Sequence, residues 1–300
     1  MKKERKIVCI VGPTASGKTG WGIAVAKKYN GEIVSADSRQ VYKKLDIGTG
    51  KDLEDYGDVK YHLIDVKNPG EKFTLFDWLK TAREAIDDIL KRGKLPVVVG
   101  GTGLYVQALV EGFELKVESR KTKVKRYLRE ELESKSLVEL QKIFHKLTAK
   151  SSKLEAVDLK NPHRIIRAIE KVQSGEIAYK EKPNFQALQI AIDLPRDVLY
   201  DRIDYRVEER FEQGMLEEIK HLIASGVDRK WLLGLGLEYR IIGRYVLGGN
   251  NQSFEEMKQE LKYKIHAFTR RQLTWFRRFP EIIWCSDIRS AEKEVKKFLL

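Results

Sequence analysis

Gly12-Pro13-Thr14-Ala15-Ser16-Gly17-Lys18-Thr19 is the stretch that decides the fold of this 300-residue chain. It satisfies G-x-x-x-x-G-K-[ST] at every fixed position, and its flanks are those the motif needs. Before it, Lys6 to Val11 is a short β-branched run ending in glycine, the pattern of a buried strand. After it, Thr19 to Tyr29 has helical apolar spacing and stops at Asn30-Gly31. Successive N–H groups of such a loop turn inward around an anion, and the helix adds its positive end. Lys18 supplies a full charge, and Thr19 offers a hydroxyl to Mg²⁺. Gly12, Pro13, Thr14, Ala15, Ser16, Gly17, Lys18 and Thr19 are therefore the expected diphosphate- or nucleotide-binding residues, with Thr19 the metal contact.

Outward from the loop, strands and helices alternate. Glu32 to Ser35 reads as a second strand, Phe73 to Arg92 as a long amphipathic helix closed by Gly93, and Pro96 to Val99 as a third buried strand. This alternation predicts an α/β architecture with a parallel sheet, whose ligands lie at the carboxyl ends of the strands. Two more polar loops fall at those ends. In Ser35-Ala36-Asp37-Ser38-Arg39-Gln40, Asp37 reads either as a general base or outer-shell Mg²⁺ partner, or as a helix N-cap. In Gly100-Gly101-Thr102-Gly103, Thr102 presents a hydroxyl where the loops converge. The glycine-rich turn Asp46 to Lys51 reads by itself as a surface loop.

From about Gly112 the texture becomes charged and helical, and a β-like run at Phe185 to Ile192 marks the return to the sheet. The expected division is a core of 1–113 and 184–300 with a helical insertion domain at 114–183, the chain being helical to its end after Pro195. A hydrophobic content of 42% excludes disorder over most of the length. The two cysteines, Cys9 and Cys285, form no disulfide framework or zinc spacing. No apolar run approaches the roughly 20 residues of a membrane span, so a cytoplasmic protein with no membrane association is expected.

Lys plus Arg is 57 against 44 for Asp plus Glu, a net of +13, which favours polyanionic partners. Leu261 to Phe279 carries Arg270, Arg271, Arg277 and Arg278 among aromatic residues and no acid. Basic groups neutralise phosphates and aromatic faces stack on bases; the aromatics also fit a helix core. Arg120 to Arg129 holds six basic residues. Arg164 and Arg167 lie one turn apart at a helix start. Arg202, Arg206 and Arg210 recur every four residues, a cationic stripe that either steadies a leaving diphosphate or pairs with Glu208, Glu209 and Glu212. His62, His145 and His221 are scattered and read as structural.

Taken together, GPTASGKT at 12–19, SADSRQVYKKLDIGTGK at 35–51, HLID at 62–65, PVVVGGTGLY at 96–105, NPHRIIRAIE at 161–170 and FTRRQLTWFRR at 268–278 resemble the tRNA dimethylallyltransferases (isopentenyltransferases) of bacterial type. The resemblance implies a P-loop NTPase-like parallel sheet flanked by helices, with an all-helical insertion domain and a helical C-terminal region. It also implies transfer of a dimethylallyl group from its diphosphate to N6 of the adenosine 3′ of the anticodon, with Mg²⁺. On this resemblance the loop holds the diphosphate of the prenyl donor and not ATP. Asp37 is the general base, Thr102 lies near the reacting centre, and Lys18 with Arg206 or Arg210 steadies the diphosphate. Asp37, Ser38, Arg39, Gln40 and Thr102 would contact tRNA, as would His163, Arg164, Ile165, Ile166 and Arg167, and Arg270, Arg271 and Gln272. Partners would be the tRNA anticodon stem-loop and dimethylallyl diphosphate, with the enzyme a monomer. Two elements depart from the family pattern: Gly50-Lys51-Asp52 stands where Ala-Lys-Pro is usual, and Leu235 to Arg240 stands where a Gly-Tyr-Lys/Arg element is usual. A P-loop small-molecule kinase, a free-adenylate prenyltransferase and a non-enzymatic RNA-binding protein are the competing readings.

Overall fold

The structure, a computed structural model, describes residues 4–117, 127–148, 157–249 and 251–300. β1 (Lys6–Val11) leads into α1 (Lys18–Lys28) and β2 (Gly31–Ser35). A 3-10 turn at Leu53–Tyr56 and the short β3 (Tyr61–His62) precede α2 (Leu75–Lys91), β4 (Leu95–Gly100) and α3 (Gly103–Val110). Next come β5 (Phe113–Val117), α4 (Arg129–Glu133), α5 (Leu137–Thr148), α6 (Pro162–Ser174) and β6 (Glu176–Lys180). β7 (Gln186–Ile192) is followed by α7 (Arg196–Glu212), α8 (Met215–Ala224), α9 (Arg229–Gly234) and α10 (Leu237–Val246). The chain closes with α11 (Phe254–Phe276), β8 (Ile283–Cys285) and α12 (Ile288–Leu299). Two compact units result: Met1–Val110 with Pro183–Leu300, and Glu111–Lys182.

The larger unit is built on a six-stranded parallel sheet of order β3-β2-β4-β1-β7-β8. β1 lies inside it because both its faces are covered: Ile7, Val8, Ile10 and Val11 are fully buried. Each such side chain contributes about 1.5–3 kcal/mol of burial. Cys9 in the same strand has its thiol pushed up to about 12 by burial, so it stays protonated and inert. α2 starts at a capping box, Thr74 with Asp77, and hangs Trp78 over the sheet, where its Nε1 donates to Ser35 O at 2.9 Å. A second core forms among α7, α8, α10 and α11 from Ile203, Val207, Ile219, Tyr239 and Leu261.

This second core corrects the surface-loop reading of Asp46 to Lys51. The Glu218 carboxylate accepts from the N–H groups of Asp46 and Ile47, both at 2.7 Å, and of Gly48 at 3.1 Å. Lys51 is buried, 1% exposed, and pairs with Asp46 and Asp65. A lysine there is sustainable only because both carboxylates and the Tyr42 carbonyl meet its ammonium.

Two further expectations need correction. The region after Pro195 is not helical throughout, for β8 extends the sheet by pairing Ile190 with Ile283 and Ile192 with Cys285. Three residues are too short to show a period, and the strand exists because β7 offers an edge. Nor is the smaller unit all-helical. Its first and last segments pair as an antiparallel ladder from Phe113 opposite Lys180 to Val117 opposite Glu176. Its helices bury Leu132, Leu140, Ile165 and Ile169 together. Of the expected basic run at 120–129, only Tyr127, Leu128 and Arg129 are described, and residues 120–126 lie outside the described residues. Among the described residues no helix is long and apolar enough to cross a membrane.

Candidate active site

In the larger unit a cavity opens over the loops that follow β1, β2 and β4. It is walled by Thr14, Ala15, Lys18 and Thr19, by Asp37, Arg39 and Gln40, and by Val99 to Gly101. α7 contributes Arg206 and Arg210, and α11 contributes Gln272. An apolar side is supplied by Ile203, Val207, Met215, Leu261, Ile265 and Phe268.

The glycine-rich loop is tied down from α11. The Thr14 N–H donates to Gln272 Oε1 at 2.9 Å, and Gln272 Nε2 donates to Gly101 O at 2.9 Å. Gln272 is buried with both ends of its amide bonded, so it joins two site loops. A Cβ at Gly101 would come within 2.8 Å of Gln272 Nε2, which is why a glycine stands there. Lys18 Nζ donates to Pro13 O at 3.3 Å. Its pKa falls to about 8, chiefly through burial and then through Arg206, with Asp37 opposing. An anion beside the ammonium would favour its charged form.

Asp37 caps a turn, not a helix, and also borders the cavity. Its Oδ1 accepts from the N–H groups of Arg39, at 2.9 Å, and Gln40, at 3.4 Å, which caps the turn after β2. The carboxylate still borders the cavity, and Oδ2 has no hydrogen-bond partner among the described residues. Thr102 Oγ1 accepts from the Ser38 N–H at 3.2 Å, and the Thr102 N–H donates to Ala36 O at 3.2 Å. Thr102 and Ser38 thus staple two loops together, and neither is a wall residue of the cavity.

Arg39 and Gln40 spend their polar ends inside the protein. Arg39 Nε donates to Leu235 O at 2.7 Å and Nη1 meets Glu238 at 3.2 Å. Gln40 Nε2 donates to Gly50 O at 2.9 Å while its Oε1 accepts from Ser35 Oγ at 3.1 Å. Half-buried polar atoms take the nearest partners, so these side chains shape the wall, whereas the resemblance gave them to RNA.

On α7, Arg206 and Arg210 face the cavity, whereas Arg202 reaches Ser16 O at 3.5 Å. Their acidic partner is not one of the glutamates on α7. Arg210 Nη2 lies 3.1 Å and Arg206 Nη2 3.5 Å from Asp52 Oδ2. Arg210 Nη1 also donates to Ile47 O. Burial, and next Arg210, hold the Arg206 guanidinium below its usual pKa. Gly50, at φ 65°, leaves the room, since a Cβ would stand 2.2 Å from Arg206 Nη2. Asp52 sits at φ 43°, which is closed to the proline usual at this place. Glu208 pairs instead with Lys258, at 2.7 Å, and Lys262, at 2.6 Å.

Elsewhere on α11, Arg270 and Arg271 are exposed, Arg270 donating to the Tyr200 hydroxyl at 2.9 Å and Arg271 lying over the Phe268 ring. His266 is turned to Asp204 at 2.8 Å. In the smaller unit, Asn161 caps α6 by accepting from His163 and Arg164 N–H. Ile165 and Ile166 are 0% and 2% exposed and pack into the core of this unit. Arg164 is exposed beside Asp158, and Arg167 pairs with Glu176 at 2.6 Å.

The G-x-x-x-x-G-K-T loop at the carboxyl end of β1, a carboxylate after β2, two arginines and an apolar wall share one cavity in an α/β enzyme fold. The family model for IPP transferase matches residues 40–279, and that for isopentenyl transferase matches residues 5–58. The chain belongs to the IPP transferase family. It is 39% identical to tRNA dimethylallyltransferase 2 of Phocaeicola vulgatus over 98% of this chain and 96% of the relative. It is 43% identical to tRNA dimethylallyltransferase 2 of Shewanella sediminis, over 93% and 91%. The crystal structure of the tRNA isopentenylpyrophosphate transferase of Bacillus halodurans matches with a TM-score of 0.70 at 35% identity, covering 99% of this chain and 96% of that one.

Proposed function

We propose that this chain transfers a dimethylallyl group from dimethylallyl diphosphate to N6 of the adenosine 3′ of the anticodon in tRNA, releasing diphosphate. The observation that carries the reading is the make-up of one cavity: a cationic cradle, a carboxylate and an apolar wall together. Lys18, Arg206, Arg210 and the loop N–H groups take the diphosphate and draw off the charge that develops as the allylic C–O bond breaks. Ile203, Val207, Ile265 and Phe268 offer an apolar surface to the prenyl chain. The adenine amine is a weak nucleophile, so its proton passes to Asp37 as the N–C bond forms. Oδ1 is fixed by two backbone N–H groups, which leaves Oδ2 for that proton. Adenine reaches such a site only by leaving its stack.

Thr19 would hold Mg²⁺ through its hydroxyl at the cavity wall, since Mg²⁺ prefers one or two protein oxygens plus substrate phosphates and water, and Asp37 keeps Oδ2 for the proton. When bound, Mg²⁺ would neutralise part of the diphosphate charge. In the larger unit the RNA contacts would be the exposed Arg270 and Arg271; in the smaller unit, taken by itself, they would be Arg164 and His163. A monomer working in the cytoplasm on the anticodon stem-loop is the setting this implies.

Incubation with dimethylallyl diphosphate, Mg²⁺ and either an anticodon stem-loop or AMP tests the reading by mass spectrometry of the acceptor. One prenyl unit on the stem-loop and none on AMP is expected, with no ATP needed. Prenylated AMP or a phosphorylated product overturns it.

A further inference from the structure

The geometry points to Asp52 as a resident counter-anion of the donor site, a residue that sets how tightly the leaving diphosphate is held. The inference rests on the reading of Arg206 and Arg210 as diphosphate ligands.

Asp52 is not a wall residue of the cavity, yet its carboxylate takes both arginines that are. Oδ2 lies 3.1 Å from Arg210 Nη2 and 3.5 Å from Arg206 Nη2, and Oδ1 is 3.3 Å from the same Arg210 nitrogen. The two guanidinium groups crowd each other: after burial, Arg210 is the main cause that disfavours the charge on Arg206, and Asp52 is the foremost group restoring it. In the donor-free site, then, this one carboxylate does for the pair what a diphosphate does in the filled one.

The two anions are competitors. An arriving diphosphate either displaces Asp52, losing its ion pairs, or binds beside it and meets its repulsion. The Asp52 side chain is 43% exposed while that of Arg210 is 9% exposed. The carboxylate can therefore turn to water at little cost, while Arg210, also bonded to Ile47 O, stays in place. In both cases Asp52 weakens anion binding. The effect is larger for free diphosphate, which bears more negative charge than its ester, so Asp52 favours release of product over loss of donor. An organising role for Asp52, holding the arginines in position, predicts the opposite sign.

Asp52→Asn retains a side chain that tolerates a positive φ and keeps an oxygen for one N–H, while removing the charge. Asp52→Gly removes the side chain at no backbone cost and serves should the asparagine variant fold poorly. Calorimetry with inorganic diphosphate, in Mg²⁺ buffer, is run on wild type, both variants and Lys18→Ala, alongside steady-state transfer with varied donor. The expected result is diphosphate binding about 2- to 5-fold tighter in the Asp52 variants, the size of one half-exposed charge pair. Donor KM should fall less, kcat should fall and product inhibition should strengthen. Unchanged or weaker diphosphate binding in both variants, with transfer intact, overturns the inference and leaves the proposed function standing. Wild-type protein that binds no diphosphate, or binds it equally after Lys18→Ala, overturns the donor site itself and the inference with it.

Discussion

Asp37 carries the sharpest single-residue expectation. Asp37→Asn keeps an oxygen to accept from the Arg39 and Gln40 N–H groups, so the turn after β2 survives, but it removes the proton acceptor. Transfer should fall by about 10²–10⁴-fold while RNA and donor affinity stay within a few-fold; single-turnover assays beside binding titrations check this, and near-normal transfer sinks the role. Lys18 gives a pH expectation. With its pKa lowered to about 8 in the empty site, the ammonium is present below that pH and lost above it. Only the charged form attracts diphosphate, so affinity should be full near pH 7 and decline as pH rises through 8. Diphosphate titrations from pH 6.5 to pH 9.5 check it, with Lys18→Met expected to flatten the profile. Lys18 and Asp37 were legible because motif and strand end fix where each backbone atom goes. Arg39, Gln40 and Gln272 were legible only as polar residues near the site. Their internal partners, Leu235 O, Gly50 O and the Thr14 N–H, were not legible, because these are distant in sequence or belong to backbone.

At the scale of elements, α11 does two jobs on different faces. Arg270 and Arg271 are exposed, while Gln272, next in sequence, points inward and clamps the loops after β1 and β4. Gln272→Ala leaves the Thr14 N–H and Gly101 O without that partner, a loss of about 1–3 kcal/mol. Thermal unfolding should move down accordingly, and donor KM should rise about 10-fold through the loosened loop; a variant with unchanged KM shows that the clamp does not shape the cradle. The helices and long strands of the sheet were legible from period and stop signals, as in β1 and α1. β3 and β8 were not, being two and three residues long and ordered by the edge of a neighbour. β5 does alternate, with Phe113, Leu115 and Val117 spaced by two. The charged surroundings hid it, and β6, its partner, lies some sixty residues on.

At the scale of the whole molecule, a net charge of +13 gave a reason to expect a polyanion but not where it binds. The structure separates spent charge from available charge. Lys51, Lys258 and Lys262 are consumed by Asp46, Asp65 and Glu208, and Arg39 by Glu238. Arg270 and Arg271 are not so consumed: one bonds a tyrosine hydroxyl and the other lies on a phenylalanine ring. If these two touch RNA phosphates, replacing both with alanine should reduce the slope of log affinity against log salt by about 1.4–1.8, at 0.7–0.9 per phosphate contact. Affinity should fall similarly for different stem-loop sequences, since phosphate contacts carry no base information. Donor binding should stay unchanged, because neither side chain borders the cavity. The same double replacement on lysines already paired, Lys258 and Lys262, should leave the slope in place and cost a little stability through Glu208. Fluorescence titrations of a labelled stem-loop at several salt concentrations separate the two cases. Equal slopes for the arginine variant and wild type would show that net charge, and not this face of α11, draws the RNA.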